Sequence, residues 1–260
     1  MFGKGMTRLL KNIYEYAALY FGLLLLGVIC LSWTLIAMLL YPVLPRVAGG
    51  RLGQFVISAG FRIYLYSLSM TRACSFDLSA LDALRDQPAM VIAPNHPCLL
   101  DAVMVVSRLP NVTCIMKSEL MDNIFLGAGS RLAGYVRNDS ICGMIVQAAE
   151  MLRYGSHVLV FPEGTRTTRM PTNSLVGSFG LIARRAGVPV QTVFIETNSD
   201  YLSKGWPLFR RPSLPITYRV RLGKRFDAPE NVKAFVHEVE QYFADEFQRR
   251  RPFPAAMCTS

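Results

Sequence analysis

Residues 89–109 read AMVIAPNHPCLLDAVMVVSRL. The first five are apolar, β-prone and closed by Pro94, too short for a helix, and they predict a buried strand. Asn95, His96 and Pro97 then write a turn, and from Asp101 to Leu109 the apolar spacing predicts a helix. The same rhythm recurs downstream. Short Val- and Ile-rich runs at 112–116, 157–161, 190–195 and 216–222 predict strands, while 118–134, 142–153, 175–186 and 232–249 predict helices. Strands that alternate with helices predict an α/β fold, a largely parallel sheet flanked by helices on both faces. The last strand alternates Tyr218, Val220 and Leu222 with Arg219 and Arg221, which predicts an edge or half-exposed position. Residues 201–215, rich in Pro, Gly and aromatics, read as a loop near a membrane face.

Upstream the composition changes. The whole chain is 52% hydrophobic and 18% charged, well below the about 25% charge of ordinary soluble domains. The excess lies at the N-terminus, where residues 16–45 carry no charge at all. A span needs about twenty such residues; as a helix this stretch would reach about 45 Å. It is too long for a signal-peptide core, and no small-x-small cleavage site follows promptly. A second apolar stretch, 54–70, is interrupted by Arg62. Basic residues flank the first stretch on both sides, so a hairpin embedded from one face and a span followed by an interfacial helix both fit. The expected organisation is an N-terminal membrane-embedded helical anchor over residues 1–75 and an α/β domain over 76–260.

The net charge of +10 is carried mainly by the two ends of the chain, and residues 51–200 are almost neutral. A nucleic-acid binder would join a basic patch to a recognition element, so no nucleic-acid partner is expected. Lys and Arg beside an apolar segment suit anionic lipid headgroups. The six cysteines contain no CxxC pair, so neither zinc nor redox chemistry is indicated, and isolated thiols suit a reducing compartment.

Two motifs sit directly after predicted strands, where a parallel sheet presents its ligands. In Asn95-His96-Pro97-Cys98-Leu99-Leu100-Asp101, a turn histidine lies five positions before an aspartate in the first helical turn. The carboxylate can hold one ring nitrogen as a donor and leave the other as a base. The alternative is an Asn/Pro turn with a capping Asp. In Phe161-Pro162-Glu163-Gly164-Thr165-Arg166, the backbone N–H groups, the Thr165 hydroxyl and the Arg166 guanidinium make a candidate anion pocket. Glu163 reads equally as a site residue or as a partner that steadies Arg166.

Together these blocks, 67 residues apart from His96 to Glu163, resemble the first and third blocks of the glycerolipid acyltransferase family, whose best-known members acylate 1-acylglycerol-3-phosphate. The second block is similar too: Lys117-Ser118-Glu119-Leu120, then Gly127, then Tyr135-Val136-Arg137. The resemblance spans residues 89–193. It implies His96 as base and Asp101 as its partner, with Gly164, Thr165, Arg166 and Arg137 on the acceptor phosphate and Asn95, Lys117 and Glu163 also lining the substrate. It further implies acyl-carrier protein (ACP) or acyl-CoA as donor, no metal or other cofactor, membrane lipids as partners, and a catalytic domain on the cytoplasmic side of the inner membrane. Cys98 stands where serine is usual, 172–178 lacks the usual basic residues before its glycine, and Thr192 replaces a proline. Cys98 has no base beside it in sequence and reads as packing, not as a nucleophile. Asn95 and N–H groups near Gly164 are the candidate oxyanion donors. The rival readings are acyl transfer to another lyso-lipid or specialised lipid, hydrolysis by the same base, and a non-catalytic membrane scaffold.

Overall fold

The computed structural model describes residues 2–169 and 172–249. It opens with two helices, α1 (Phe2–Leu40) and α2 (Arg46–Met70), joined by a turn through Pro42. They are antiparallel. Gly22 faces Tyr64 and Leu68, and further along Gly60 meets Ile29, with room for little more than hydrogen at either glycine. On α1 the buried positions Glu15, Ala18, Leu19, Thr34 and Ala37 form one stripe, while Tyr20, Leu24, Val28, Leu35 and Leu39 lie exposed on the remaining arc. From Met6 to Leu40 the helix is long and apolar enough to cross a membrane. It nevertheless lies along the flank of the protein: Glu15 is tied to Arg211, and Thr34 Oγ1 donates to the Phe125 carbonyl at 2.8 Å.

Arg62 interrupts the second apolar stretch because α2 carries a polar stripe at i, i+4 and i+8. Gln54 Nε2 donates to Thr113 Oγ1 at 2.9 Å and to the Ala133 carbonyl at 3.1 Å. Ser58 and Arg62 both donate to the Ser107 carbonyl. The polar face of α2 is thereby docked on the α/β layer, and its outer face, with Phe55, Ile63, Tyr66 and Met70, stays apolar and exposed.

The sheet contains β1 (Cys74–Asp77), β2 (Val91–Pro94), β3 (Val112–Met116), β4 (Val136–Arg137), β5 (His157–Leu159), β6 (Val190–Thr197) and β7 (Ile216–Phe226), in the order β1-β7-β6-β2-β5-β3-β4. Every pairing is parallel except β6 with β7. The α/β expectation therefore holds, with the carboxyl ends of β2 to β6 on one edge. Helices α3 (Asp101–Arg108), α4 (Ser118–Met121), α5 (Gly127–Leu132), α6 (Ile141–Arg153), α7 (Ser178–Ala186) and α8 (Val232–Arg249) complete the chain, with a 3-10 turn at Ser79–Leu84. Both faces are covered: Ile92 joins Met104 and Tyr64 in one core, while Val91 and Ala93 join Phe179, Ile182 and Phe243 in the other.

Two local expectations need correction, over 118–134 and at residue 175. β7 is half-exposed, as one of its two readings had it, and is not an edge because β1 pairs outside it. β1 begins at Cys74 and is too short to announce itself. The helix expected over 118–134 breaks in two. Asn123 Oδ1 captures the Phe125 N–H at 2.8 Å, and a Cβ at Gly127 would fall 2.3 Å from the Met121 carbonyl. α7 starts at Ser178, not near 175, because the Leu175 and Val176 N–H groups donate to Glu240 and to the Pro162 carbonyl instead. It ends at Gly187, whose φ of 67° suits a left-handed cap.

At Gly53 a Cβ would lie 2.7 Å from the Ala133 backbone, whereas Gly27 faces open space. Gly53→Val is expected to lower stability by about 1–3 kcal/mol, read as a fall in melting temperature in detergent, with Gly27→Val almost unchanged. His157 is fully buried and neutral, with Nδ1 accepting from the Met90 N–H at 3.3 Å and Nε2 facing the Leu84 carbonyl at 3.1 Å. Burial holds its pKa below the usual value. The unfolded chain therefore takes up this proton first as pH falls, so the contribution is full above about 6.5 and shrinks below it. Melting temperatures between pH 7.5 and 5.5 are expected to fall more steeply for the wild type than for His157→Gln.

Candidate active site

β2 ends at Pro94, and the next residue fixes the site's floor. Asn95 Oδ1 accepts the Ile195 N–H at 2.7 Å while its Nδ2 donates to the Ile195 carbonyl at 3.0 Å. The amide is buried, and one donor and one acceptor of it bind β6, so it holds the turn. That is a positioning role, different from the oxyanion donor expected of Asn95. The Gly164 N–H is likewise engaged, closing its own turn on the Phe161 carbonyl at 3.0 Å.

His96 follows in the turn, and Asp101 is the first residue of α3. Nδ1 of His96 lies 2.8 Å from Asp101 Oδ2. Asp101 is fully buried, and two more donors reach it: the Cys98 N–H at 2.8 Å and the Cys98 Sγ at 2.9 Å. Burial raises the Asp101 carboxyl pKa, and the His96 and Cys98 hydrogen bonds oppose that rise. The same burial, with Asp101 beside it, pushes the Cys98 thiol well above its ordinary value. Cys98 is therefore a donor that steadies the carboxylate. Sequence reasoning missed this role because it sought a base for the thiol, not an acceptor.

The second motif grips the first. The His96 N–H donates to Glu163 Oε1 at 3.0 Å, and the His96 carbonyl accepts the Thr167 N–H at 2.8 Å. The imidazole stacks on Phe161 with ring centroids 3.7 Å apart. Glu163 is buried. Its Oε1 also accepts from the Thr167 hydroxyl at 2.7 Å, and its Oε2 accepts the Asn173 N–H at 2.9 Å. It is a brace between two loops and, among the described residues, makes no bond to Arg166, contrary to the reading that made it that residue's partner. Gly164 has a φ of 64°, a conformation that glycine adopts without strain.

The cations are arranged less simply. Arg166 Nη1 donates to the Leu202 and Ser203 carbonyls, both at 2.9 Å, and among the described residues the rest of its five-donor fork has no partner. Arg137 stands at the end of β4, about 14 Å from β2 by three strand spacings. It is clamped by Asp122 through two bonds of 2.9 and 3.1 Å and by Asp139 at 3.0 Å. These carboxylates raise the Arg137 pKa, and Arg137 lowers that of Asp122. Lys117, exposed, caps α4 just past β3, on the same edge of the sheet, and Thr165 is half-buried beside Gly164. Thr192, which replaces a proline, lies buried at the β6–β7 irregularity and donates to the Lys224 carbonyl at 2.7 Å. That departure answers a sheet requirement.

A buried carboxylate, an imidazole whose Nε2 has no protein partner among the described residues, and cations along one sheet edge can deprotonate a hydroxyl and hold an anion. The acyltransferase family model matches residues 75–196. A 1-acyl-sn-glycerol-3-phosphate acyltransferase of Pseudomonas aeruginosa is 22% identical over 228 residues, 84% of each chain. The crystal structure of the 1-acyl-sn-glycerophosphate (LPA) acyltransferase of Thermotoga maritima shares the fold, with a TM-score of 0.66 at 19% identity over 94% of this chain and 98% of that one. Residues 75–196, which carry both motifs, thus match the acyltransferase family, and the chain is similar in sequence and in fold to enzymes named as 1-acylglycerol-3-phosphate acyltransferases.

Proposed function

We propose that this enzyme transfers a fatty acyl group from the thioester of acyl-carrier protein or CoA to the free hydroxyl of 1-acylglycerol-3-phosphate, with His96 as general base. The observation that carries this is the 2.8 Å bond between His96 and the buried Asp101, with the imidazole side chain still 15% exposed. Asp101 keeps the proton on Nδ1, so Nε2 is the basic atom. As the acceptor oxygen bonds to the thioester carbon, its proton passes to Nε2. When the C–S bond breaks, His96 returns that proton to the departing thiolate. No covalent acyl-enzyme is required, since Cys98 is buried and held as a thiol.

The acceptor phosphate is assigned to Arg166, through the part of its fork that the strand-end loops leave open, and to Arg137 at the rim. α1 and the outer face of α2 are assigned to the membrane, in line with their exposed apolar arcs. A second reading has its own observation. Arg137 is already neutralised by two carboxylates, an arrangement that suits a lyso-lipid without a phosphate equally well.

His96→Ala is expected to abolish transfer from labelled donor in detergent while the protein still folds, with a lower melting temperature from the bond lost by buried Asp101. Asp101→Asn should retain the fold and lose activity, by about 10⁴-fold if the loss matches that of a catalytic triad. Full activity in either variant would remove the base assignment. The acceptor is tested by a competition panel of lyso-lipids with and without the phosphate, offered to the wild type, Arg166→Lys and Asp122→Asn. If phosphate is read, Arg166→Lys raises the acceptor KM before the donor KM, and Asp122→Asn lowers the acceptor KM by freeing Arg137. A wild type with no preference for phosphate would leave acyl transfer standing and move the acceptor to the second reading.

A further inference from the structure

Between β6 and β7, residues 198–215 run over the catalytic edge and reach the anchor. At one end, the Leu202 carbonyl accepts both the Leu99 N–H at 3.1 Å and Arg166 Nη1 at 2.9 Å. Leu202 holds a φ of 60° to do so, an unfavourable conformation for a leucine, and its side chain is buried. At the other end, Arg211 Nη1 donates to Asn12 Oδ1 at 2.6 Å and to the buried Glu15, and the Leu214 N–H also donates to Glu15 at 3.2 Å. The segment is thus tied to α1 on one side and to both catalytic motifs on the other.

Its tip has a different character. Leu208 and Phe209 are exposed, Phe209 by 64%. Phe209 stacks on Tyr20, which belongs to the exposed apolar arc of α1, with centroids 6.4 Å apart. Arg210 lies 4.5 Å above the Trp206 ring, and the Trp206 indole N–H donates to the Arg210 carbonyl at 3.2 Å. Lys204 is exposed beside them. Tryptophan, exposed aliphatic and aromatic side chains and two cations, continuous with an apolar helix face, are the composition of a bilayer interface with anionic headgroups.

We propose that residues 198–215 form a strap whose tip, residues 206–210, seats in the headgroup layer of an anionic bilayer and transmits that contact to Leu99 and Arg166. This rests on the membrane reading of α1 given above. Neither the acyl donor nor the acceptor enters into it.

The test uses the full chain carrying Trp33→Phe, which leaves Trp206 as its single tryptophan. The Trp33 indole N–H is buried without a partner, so the change sacrifices no hydrogen bond. Vesicles of phosphatidylcholine and phosphatidylglycerol, with and without 6,7-dibrominated phosphatidylcholine, supply the surface. Flotation is measured in parallel. The expected result is quenching of Trp206 by the brominated lipid and exchange of the Leu99 amide slowed by about tenfold or more on vesicle binding. Leu208→Ser with Phe209→Ser should retain its melting temperature and still float through α1, yet lose both responses. Protein that floats with Trp206 unquenched, or a double variant that keeps both responses, overturns the strap and leaves the membrane reading intact. Parent protein that fails to float overturns both.

Discussion

The grip of residues 161–167 on His96 is the constraint on which the rest of the site depends. A histidine in a strand-end turn is only as well placed as its backbone. Here both polar backbone groups of that one residue are engaged by the neighbouring strand's loop, through Glu163 and Thr167, and the ring is backed by Phe161. That geometry is possible because β5 pairs directly with β2. Asp101 can then be buried at no net loss of hydrogen bonding, since its three donors come from the same turn. The catalytic pair is consequently a product of sheet order more than of local sequence.

Much of this was legible in the sequence, because strand, turn and helix follow one another within a dozen residues around His96, where local periodicity is a strong guide. The pairing of His96 with Asp101 and the exit of FPEGTR from a strand could be read that way. What could not be read were properties set by partners far along the chain. The commitment of Asn95 to Ile195 spans 100 residues. Of Arg137's two carboxylates, Asp122 comes from a loop hidden within what looked like one helix, since nothing in the apolar spacing of 118–134 registers that Asn123 will turn the chain. Glu163 was weighed against the wrong partner for a similar reason: its acceptor role becomes visible only when the turn after β2 is set beside it.

The anchor shows the same division. Thirty charge-free residues announce a membrane helix, but the function of α2 lies in three polar residues on one stripe, which composition alone scores as an imperfect apolar segment. Gln54 bonds to β3 and to the residue after α5 at once, so the hairpin and the sheet share buried polar contacts. A hydroxyl acceptor drawn from a bilayer would meet a site whose height above the lipid is set by packing and not by a tether.

The Arg211–Glu15 tie joins residues 196 positions apart. During synthesis α1 leaves the ribosome long before Arg211 exists, and until then Glu15 has only Lys11, one helical turn away at 3.8 Å, as an ionic partner. Contacts of such long range form late and at high entropic cost. The apolar arc of α1 meanwhile requires a solvent of its own. With α1 as the membrane anchor proposed above, its insertion would precede completion of the catalytic edge, because the two ends of this ion pair lie so far apart in the chain.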